Sequence, residues 1–235
     1  MLRAEGLRFA HPGGRERVGG RGFELPAGRF MILCGANGSG KSTLLDLLAG
    51  LERPLAGTVE LDGRGDRASL AAGTALLPQE PDYYLLGEDP REELELGLAR
   101  AEALGRGRGP GGLEGLARAW GLADDLDSPV ESLSPGQKKR LAIASALAGG
   151  PGAVLLDEPF SGLDWPGTLA LLSDLAALKG TGASAVIATH EPYLLRDLAD
   201  CWLMLRRGGS LFTRDPADLK RLPEFGARPY PGGAG

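Results

Sequence analysis

The sequence predicts an α/β fold: a parallel sheet core covered by helices, an antiparallel β subdomain, and a helical subdomain inserted between two strands of the parallel sheet. Three observations carry this. The runs Phe30–Cys34, Ala75–Leu77, Val154–Leu156 and Ala185–Ala188 are apolar throughout, as in strands covered on both faces. Leucines at helical spacing separate them. The early segments, by contrast, alternate between apolar and polar residues.

Taken in chain order, Leu2–Phe9, Phe23–Leu25 and Thr58–Leu61 are short, alternating and parted by Gly-rich turns, which is the pattern of an antiparallel sheet. After the first apolar run, Leu44, Leu45, Leu48 and Leu51 recur at helical spacing. Residues from about 90 to 147 are mostly helical in pattern, interrupted by the flexible loop Gly105–Gly112 (GRGRGPGG). Leu169, Leu172 and Leu175 mark a helix between the third and fourth apolar runs, with Gly180 as its stop. Alternation of strand and helix argues for a parallel sheet. Residues 1–225 are expected to form one domain with the helical subdomain at about 82–147, and the tail 226–235 to be poorly ordered.

Composition narrows the function. A net charge of −5 and a pI of about 5.2 disfavour a general nucleic-acid binder, which usually shows a basic face. No apolar run reaches the roughly 18 residues that cross a bilayer, and MLRAEGLRF lacks the apolar stretch of a signal peptide. A cytoplasmic location is expected, with any membrane role reached through a partner. Two cysteines, Cys34 and Cys201, make no disulfide framework, and Cys34 in its apolar run reads as a small buried hydrophobe.

Each buried run leads into polar residues: Gly35 and the loop after it, Pro78-Gln79, Asp157-Glu158, and Thr189-His190. In parallel sheets ligands sit at the carboxyl ends of strands, so four strands deliver chemistry to one edge. Gly35-Ala36-Asn37-Gly38-Ser39-Gly40-Lys41-Ser42 fits G-x-x-x-x-G-K-[ST] in full. Its glycines let backbone N–H groups curl around a phosphate chain, and the following helix start adds partial positive charge. Lys41 is suited to the β- and γ-phosphates and Ser42 to Mg²⁺. Gly35, Asn37, Gly38, Ser39, Gly40, Lys41, Ser42 and Thr43 are the candidate nucleotide contacts. Asp157 ends an apolar strand, where an unpaired carboxylate is costly, and Mg²⁺ would give it a partner. Glu158 is placed as a general base for water. The expected core is therefore that of a P-loop NTPase.

The stretch Leu133-Ser134-Pro135-Gly136-Gln137 holds no acid, thiol or metal ligand. Ser134 with Gln137 three residues on is a capping box, and Pro135 sits at the first helical position. Gly136 leaves the backbone N–H bare. Lys138, Lys139 and Arg140 carry the wrong sign for a helix N-terminus, which suggests a tip suited to an incoming anion.

LSPGQ resembles the LSGGQ signature of ABC-type ATPases, and the resemblance spans nearly the whole chain in the family's order. It implies ATP and Mg²⁺ as cofactors, Gln79 as the Q-loop residue sensing Mg²⁺, Ser161-Gly162-Leu163-Asp164 as the D-loop, and His190 as the γ-phosphate contact. It also implies a head-to-tail dimer in which Ser134, Gly136 and Gln137 of one copy bind the γ-phosphate held by another. Homodimer and heterodimer with a related ATPase are equally compatible. Pro135, where the family has Gly, removes one N–H donor. The adenine-stacking position falls at His11, with Phe9 nearby. Gln79-Glu80-Pro81-Asp82-Tyr83-Tyr84-Leu85-Leu86 resembles the Q-x-P-D-x-x-L-F segment of ATPases in energy-coupling factor (ECF) importers of vitamins or transition metals. That resemblance implies a transmembrane coupling subunit docking near Gln79–Leu86, received by Tyr83, Tyr84 and Leu85, and a place at the cytoplasmic face of the cell membrane. The alternatives are an ATPase of another ABC transporter class, a soluble non-transport ABC ATPase, and a P-loop kinase, which would leave the signature helix and His190 idle.

Overall fold

Residues 1–10, 16–19, 22–80, 84–107, 111–206 and 209–227 are described in this computed structural model of the chain. The elements run β1 (Leu2–Ala10), β2 (Glu16–Gly19), β3 (Phe23–Leu25), β4 (Phe30–Gly35), α1 (Lys41–Leu48), β5 (Ala56–Leu61), α2 (Arg67–Gly73), β6 (Thr74–Leu77), α3 (Pro90–Ala103), α4 (Gly112–Ala119), α5 (Pro135–Ala148), β7 (Ala153–Asp157), α6 (Trp165–Gly180), β8 (Ala185–Ala188), β9 (Cys201–Arg206) and β10 (Gly209–Thr213).

The early strands form an antiparallel sheet centred on β1, which pairs with β2, β3 and β5. Leu2 and Ala4 point inward, then Leu7 and Phe9, so the inward parity switches once. The switch falls at the register shift between Glu5 and Arg8, where Gly6 has φ 56°. Gly57 crosses it so closely that a Cβ would meet Gly6 O at 2.5 Å, and only glycine allows that approach.

The second sheet has the order β10-β9-β4-β8-β7-β6, parallel throughout except for β10 at the edge. The continuous apolar runs follow from burial on both faces. Phe30, Ile32 and Cys34 join a core cluster with Leu94, Leu98, Leu141 and Leu175 of the helices. Met31 and Leu33 turn the other way, toward Leu44, Leu48 and the antiparallel sheet. Each such aliphatic or aromatic side chain contributes about 1.5–3 kcal/mol by leaving water. Among the described residues no helix is long and apolar enough to cross a membrane.

Several expectations need correction. Helix α1 ends at Leu48, and Gly50 (φ 69°) turns the chain, so Leu51 lies beyond the helix and is 52% exposed. Helix α6 buries Leu171, Leu175 and Leu178, while Leu169 is exposed and Leu172 partly buried. Strands β2, β9 and β10 and helix α2 were not expected. Gly105 and Gly107 both take positive φ, Gly112 opens α4, and the rest of the expected loop, 108–110, lies outside the described residues. The expected tail begins too early. Ala227 is buried, and its N–H donates to Leu222 O at 3.1 Å. Residues 228–235 lie outside the described residues.

Candidate functional site

The phosphate loop leaves β4 at Gly35, whose φ of 150° and a Cβ position 2.2 Å from Leu205 O exclude any side chain. Gly38 (φ 74°) and Gly40 (φ 105°) complete the turn into α1. No acidic residue occupies the first turn of α1, so its N-terminal partial charge has no carboxylate of its own helix to answer it. Lys41 is buried, with Nζ donating to Gly35 O at 3.0 Å and lying 3.5 Å from Glu158 Oε1. The Ser39 hydroxyl is buried without a partner.

Strand β7 ends in Asp157. Its Oδ1 is buried and unpartnered, while the Ser42 hydroxyl bonds to the same carboxylate. Burial raises the Asp157 pKa above the usual carboxylate range, against the Ser42 bond and Lys41. Glu158 takes φ 46°, a left-handed conformation unusual for a side-chain-bearing residue. Its Oε2 lies 2.8 Å from His190 Nδ1 and accepts the His190 backbone N–H at 3.2 Å. Gln79 follows β6, and its amide nitrogen donates to Ser161 Oγ at 3.1 Å. Because β4, β8, β7 and β6 are consecutive in the sheet, their ends share one cleft of about 420 Å³. Asn37, Gly38, Gly40, Lys41, Ser42, Thr43, Gln79, Asp157, Glu158 and His190 line it.

The donor set fits Mg²⁺: one carboxylate with an unpartnered oxygen, one hydroxyl and one amide. Magnesium commonly takes one or two carboxylates and completes its shell with phosphates and water. Among the described residues no group of three or more His, Cys, Asp or Glu could hold a metal.

Ser134 and Gly136 do not line this cleft. Ser134 caps α5 from an exposed position. Its Oγ accepts from Gln137 N at 3.2 Å, and Gln137 Oε1 accepts from Ser134 N at 2.9 Å, completing the expected capping box. The Gln137 amide nitrogen is committed to Asp125 at 2.7 Å. The reading of Lys139 and Arg140 as charge awaiting an anion is corrected. Lys139 is buried and donates to Pro159 O at 2.9 Å and to Ser161 O, and Arg140 pairs with Asp174 at 2.8 Å. Asp164 caps α6 through Gly167 N at 2.8 Å. Phe9 is core of the antiparallel sheet. His11 lies outside the described residues.

After Gln79, residues 81–83 also lie outside them, Tyr83 included. Tyr84 is exposed near Asp46 of α1, and Leu86 is 80% exposed. Leu85, expected on the docking surface, is half-buried and packs against the core. Sequence reasoning missed Glu93 of α3. Its buried carboxylate accepts from Leu86 N at 2.7 Å and Gly87 N at 3.0 Å with one oxygen, and from Ser145 Oγ of α5 at 2.7 Å with the other. Nothing in the run Glu92-Glu93 marks which acid turns inward.

The ABC transporter family profile matches residues 19–161. The cobalt import ATP-binding protein CbiO of Rhodobacter capsulatus is 37% identical over 97% of this chain and 85% of its own length. The energy-coupling factor transporter ATP-binding protein EcfA of Methanosphaera stadtmanae is 34% identical over 81% of this chain and 70% of its own. Among solved structures, CbiO1 of Clostridium perfringens, described as part of the ABC transporter complex CbiONQ, superposes with a TM-score of 0.79. It is 25% identical and covers 91% of this chain and 88% of its own. An ATP-binding cassette in its ADP conformation, 22% identical with a TM-score of 0.80 over 96% of both chains, shares the fold.

Proposed function

This chain belongs to the ABC transporter family, and from that membership we propose that it is the ATP-hydrolysing subunit of an ECF-type importer of a vitamin or transition-metal ion. The observation that carries the reading is the single cleft shared by Lys41, Gln79, Asp157, Glu158 and His190, set by four consecutive strands. The likeness to CbiO and EcfA supports the importer class.

In this reading the Gly35–Thr43 loop and the α1 N-terminus take the ATP phosphates, and Lys41 pairs with the β- and γ-phosphates. Ser42, Asp157 and Gln79 hold Mg²⁺, which when bound neutralises charge developing on the phosphates. Glu158 takes a proton from the attacking water, a role that contributes about 10²–10⁴-fold in rate. His190 orients Glu158 through the 2.8 Å contact and faces the γ-phosphate. The signature residues Ser134 and Gly136, which do not line their own cleft, meet the nucleotide of a second copy or a related ATPase, with Asp164 at the joint. Pro135 costs no needed donor if the Ser134 hydroxyl and Gly136 N–H make the contacts. Tyr84 and Leu86 receive the transmembrane coupling subunit, which holds the protein at the cytoplasmic face of the membrane.

Glu158→Gln tests the reading. Turnover should vanish while an ATP-bound dimer accumulates by light scattering. A monomer at saturating ATP would count against it.

A further inference from the structure

Lys139 lies on α5, five residues past the Ser134 cap, and its side chain turns away from the helix tip into the protein. Among the described residues no carboxylate lies within ion-pair distance of its ammonium, and Glu158 acts on it only from farther away. Its ammonium bonds to two backbone carbonyls, Pro159 O at 2.9 Å and Ser161 O, which bracket the turn directly after Glu158. The turn is also held by the buried Phe160, by Glu158 N to Ala188 O at 2.8 Å, by Ser161 N to Glu158 O at 3.0 Å and by Gln79 to Ser161 Oγ, but Lys139 is the contact that ties it to α5. Burial lowers the Lys139 pKa to about 8, with Glu158 the opposing charge. A buried cation that serves only as filling is often replaced without loss by an apolar side chain of similar volume. Here the charge answers two carbonyls of the turn that directly follows Glu158, whose backbone is left-handed (φ 46°).

Resting on the ATPase reading above, we propose that Lys139 is a positioning residue for hydrolysis: from the signature helix it pins the 159–161 turn, and with it the Glu158 carboxylate and the Ser161–Gln79 contact. The helix that presents Ser134 to one nucleotide and the glutamate that serves another then cannot move independently. A shift of α5 displaces both.

The test uses the full chain with Lys139→Met, which keeps length and loses the charge, and Lys139→Arg, which restores it. Lys139→Met should lower kcat at least tenfold at saturating Mg-ATP while leaving the ATP KM within twofold, and Lys139→Arg should recover part of the loss. Hydrogen exchange on the nucleotide-free protein should show faster exchange at the Ser161 and Leu163 amides in Lys139→Met. This second readout needs no activity and no dimer. Unchanged exchange there, or a kcat equal to wild type, would overturn the proposal. Glu158→Gln run in parallel separates the two readings. If it abolishes turnover while Lys139→Met retains it, the positioning role fails and the ATPase reading stands. If Glu158→Gln retains turnover, Glu158 is not the base; if the wild-type chain hydrolyses no ATP, the ATPase reading fails; in either case the exchange data alone decide whether Lys139 holds the turn.

Discussion

Glu93→Ala should destabilise the protein by about 4 kcal/mol, and Glu93→Gln by about 1. The carboxylate is 5% exposed and satisfies three donors: Leu86 N, Gly87 N and Ser145 Oγ. Alanine removes all three acceptor contacts. Ser145 keeps an alternative in Glu93 O at 3.1 Å, which leaves two N–H groups unanswered. At about 1–3 kcal/mol each, the loss is about 2–6 kcal/mol. Glutamine can turn its oxygen toward the two N–H groups and its nitrogen toward Ser145, so only the charge assistance is lost, about 1 kcal/mol. In a domain of this size 1 kcal/mol moves Tm by about 2–4 °C, giving drops of about 8–16 °C for alanine and 2–4 °C for glutamine. Urea denaturation followed by tryptophan fluorescence, with Trp120 buried in the same subdomain, measures both. An alanine variant within 1 kcal/mol of wild type would show that water satisfies these N–H groups and that Glu93 does not clamp the segment carrying Leu86.

Four further outcomes are expected. Lys41→Ala should abolish tight nucleotide binding, and unchanged ATP affinity in a titration would refute its role. Ser134→Arg should leave ATP binding by the monomer intact, block dimer closure, and cost the fold about 1 kcal/mol through the lost cap; surviving hydrolysis would contradict the assignment of the helix tip. Asp200 accepts from Phe30 N at 2.8 Å, Arg29 at 2.8 Å and Lys179 at 2.9 Å. Burial acts to raise its pKa, but the Phe30, Lys179 and Arg29 bonds outweigh it and hold the pKa below the usual range. A carboxyl depressed in the folded state stabilises above its unfolded pKa, about 4, and loses that contribution as pH falls through the folded value. Asp200→Asn should therefore flatten the acid limb of a stability-versus-pH curve, and an unaltered limb would refute the linkage. Finally, burial pushes Cys34 up to about 12 and Cys201 to about 11, so neither should react with a thiol reagent at pH 8 until the protein is denatured. Rapid labelling of the native chain would show otherwise.

The site was more legible than the frame around it. Motif residues are written contiguously after apolar strands, so Lys41, Asp157 and His190 could be placed at one edge from local pattern alone. The capping box was readable for the same reason, since its partners are three residues apart. Lys139, Arg140 and Glu93 were not, because their partners at Ser161, Asp174 and Ser145 are remote in sequence, and hydropathy carries no record of which charge turns inward. Leu51 misled because its spacing continued a helix that Gly50 stops. Strand β2, four residues with only Val18 apolar, offered too little alternation. Strand β9 follows no motif, and β10 has no clear period.

The sheet order has a consequence for how the chain is made. Among the described residues strand β4, which carries the phosphate loop, pairs with β8 and β9 and with no other strand. A ribosome that has just finished Gly35 must add about 150 residues before either neighbour exists, about 8–30 s at ordinary synthesis rates. Through that interval the Phe30–Cys34 segment has no sheet to join, which makes it a natural client for a chaperone. Nascent chains halted before residue 185 should aggregate through this segment and gain nothing from added ATP.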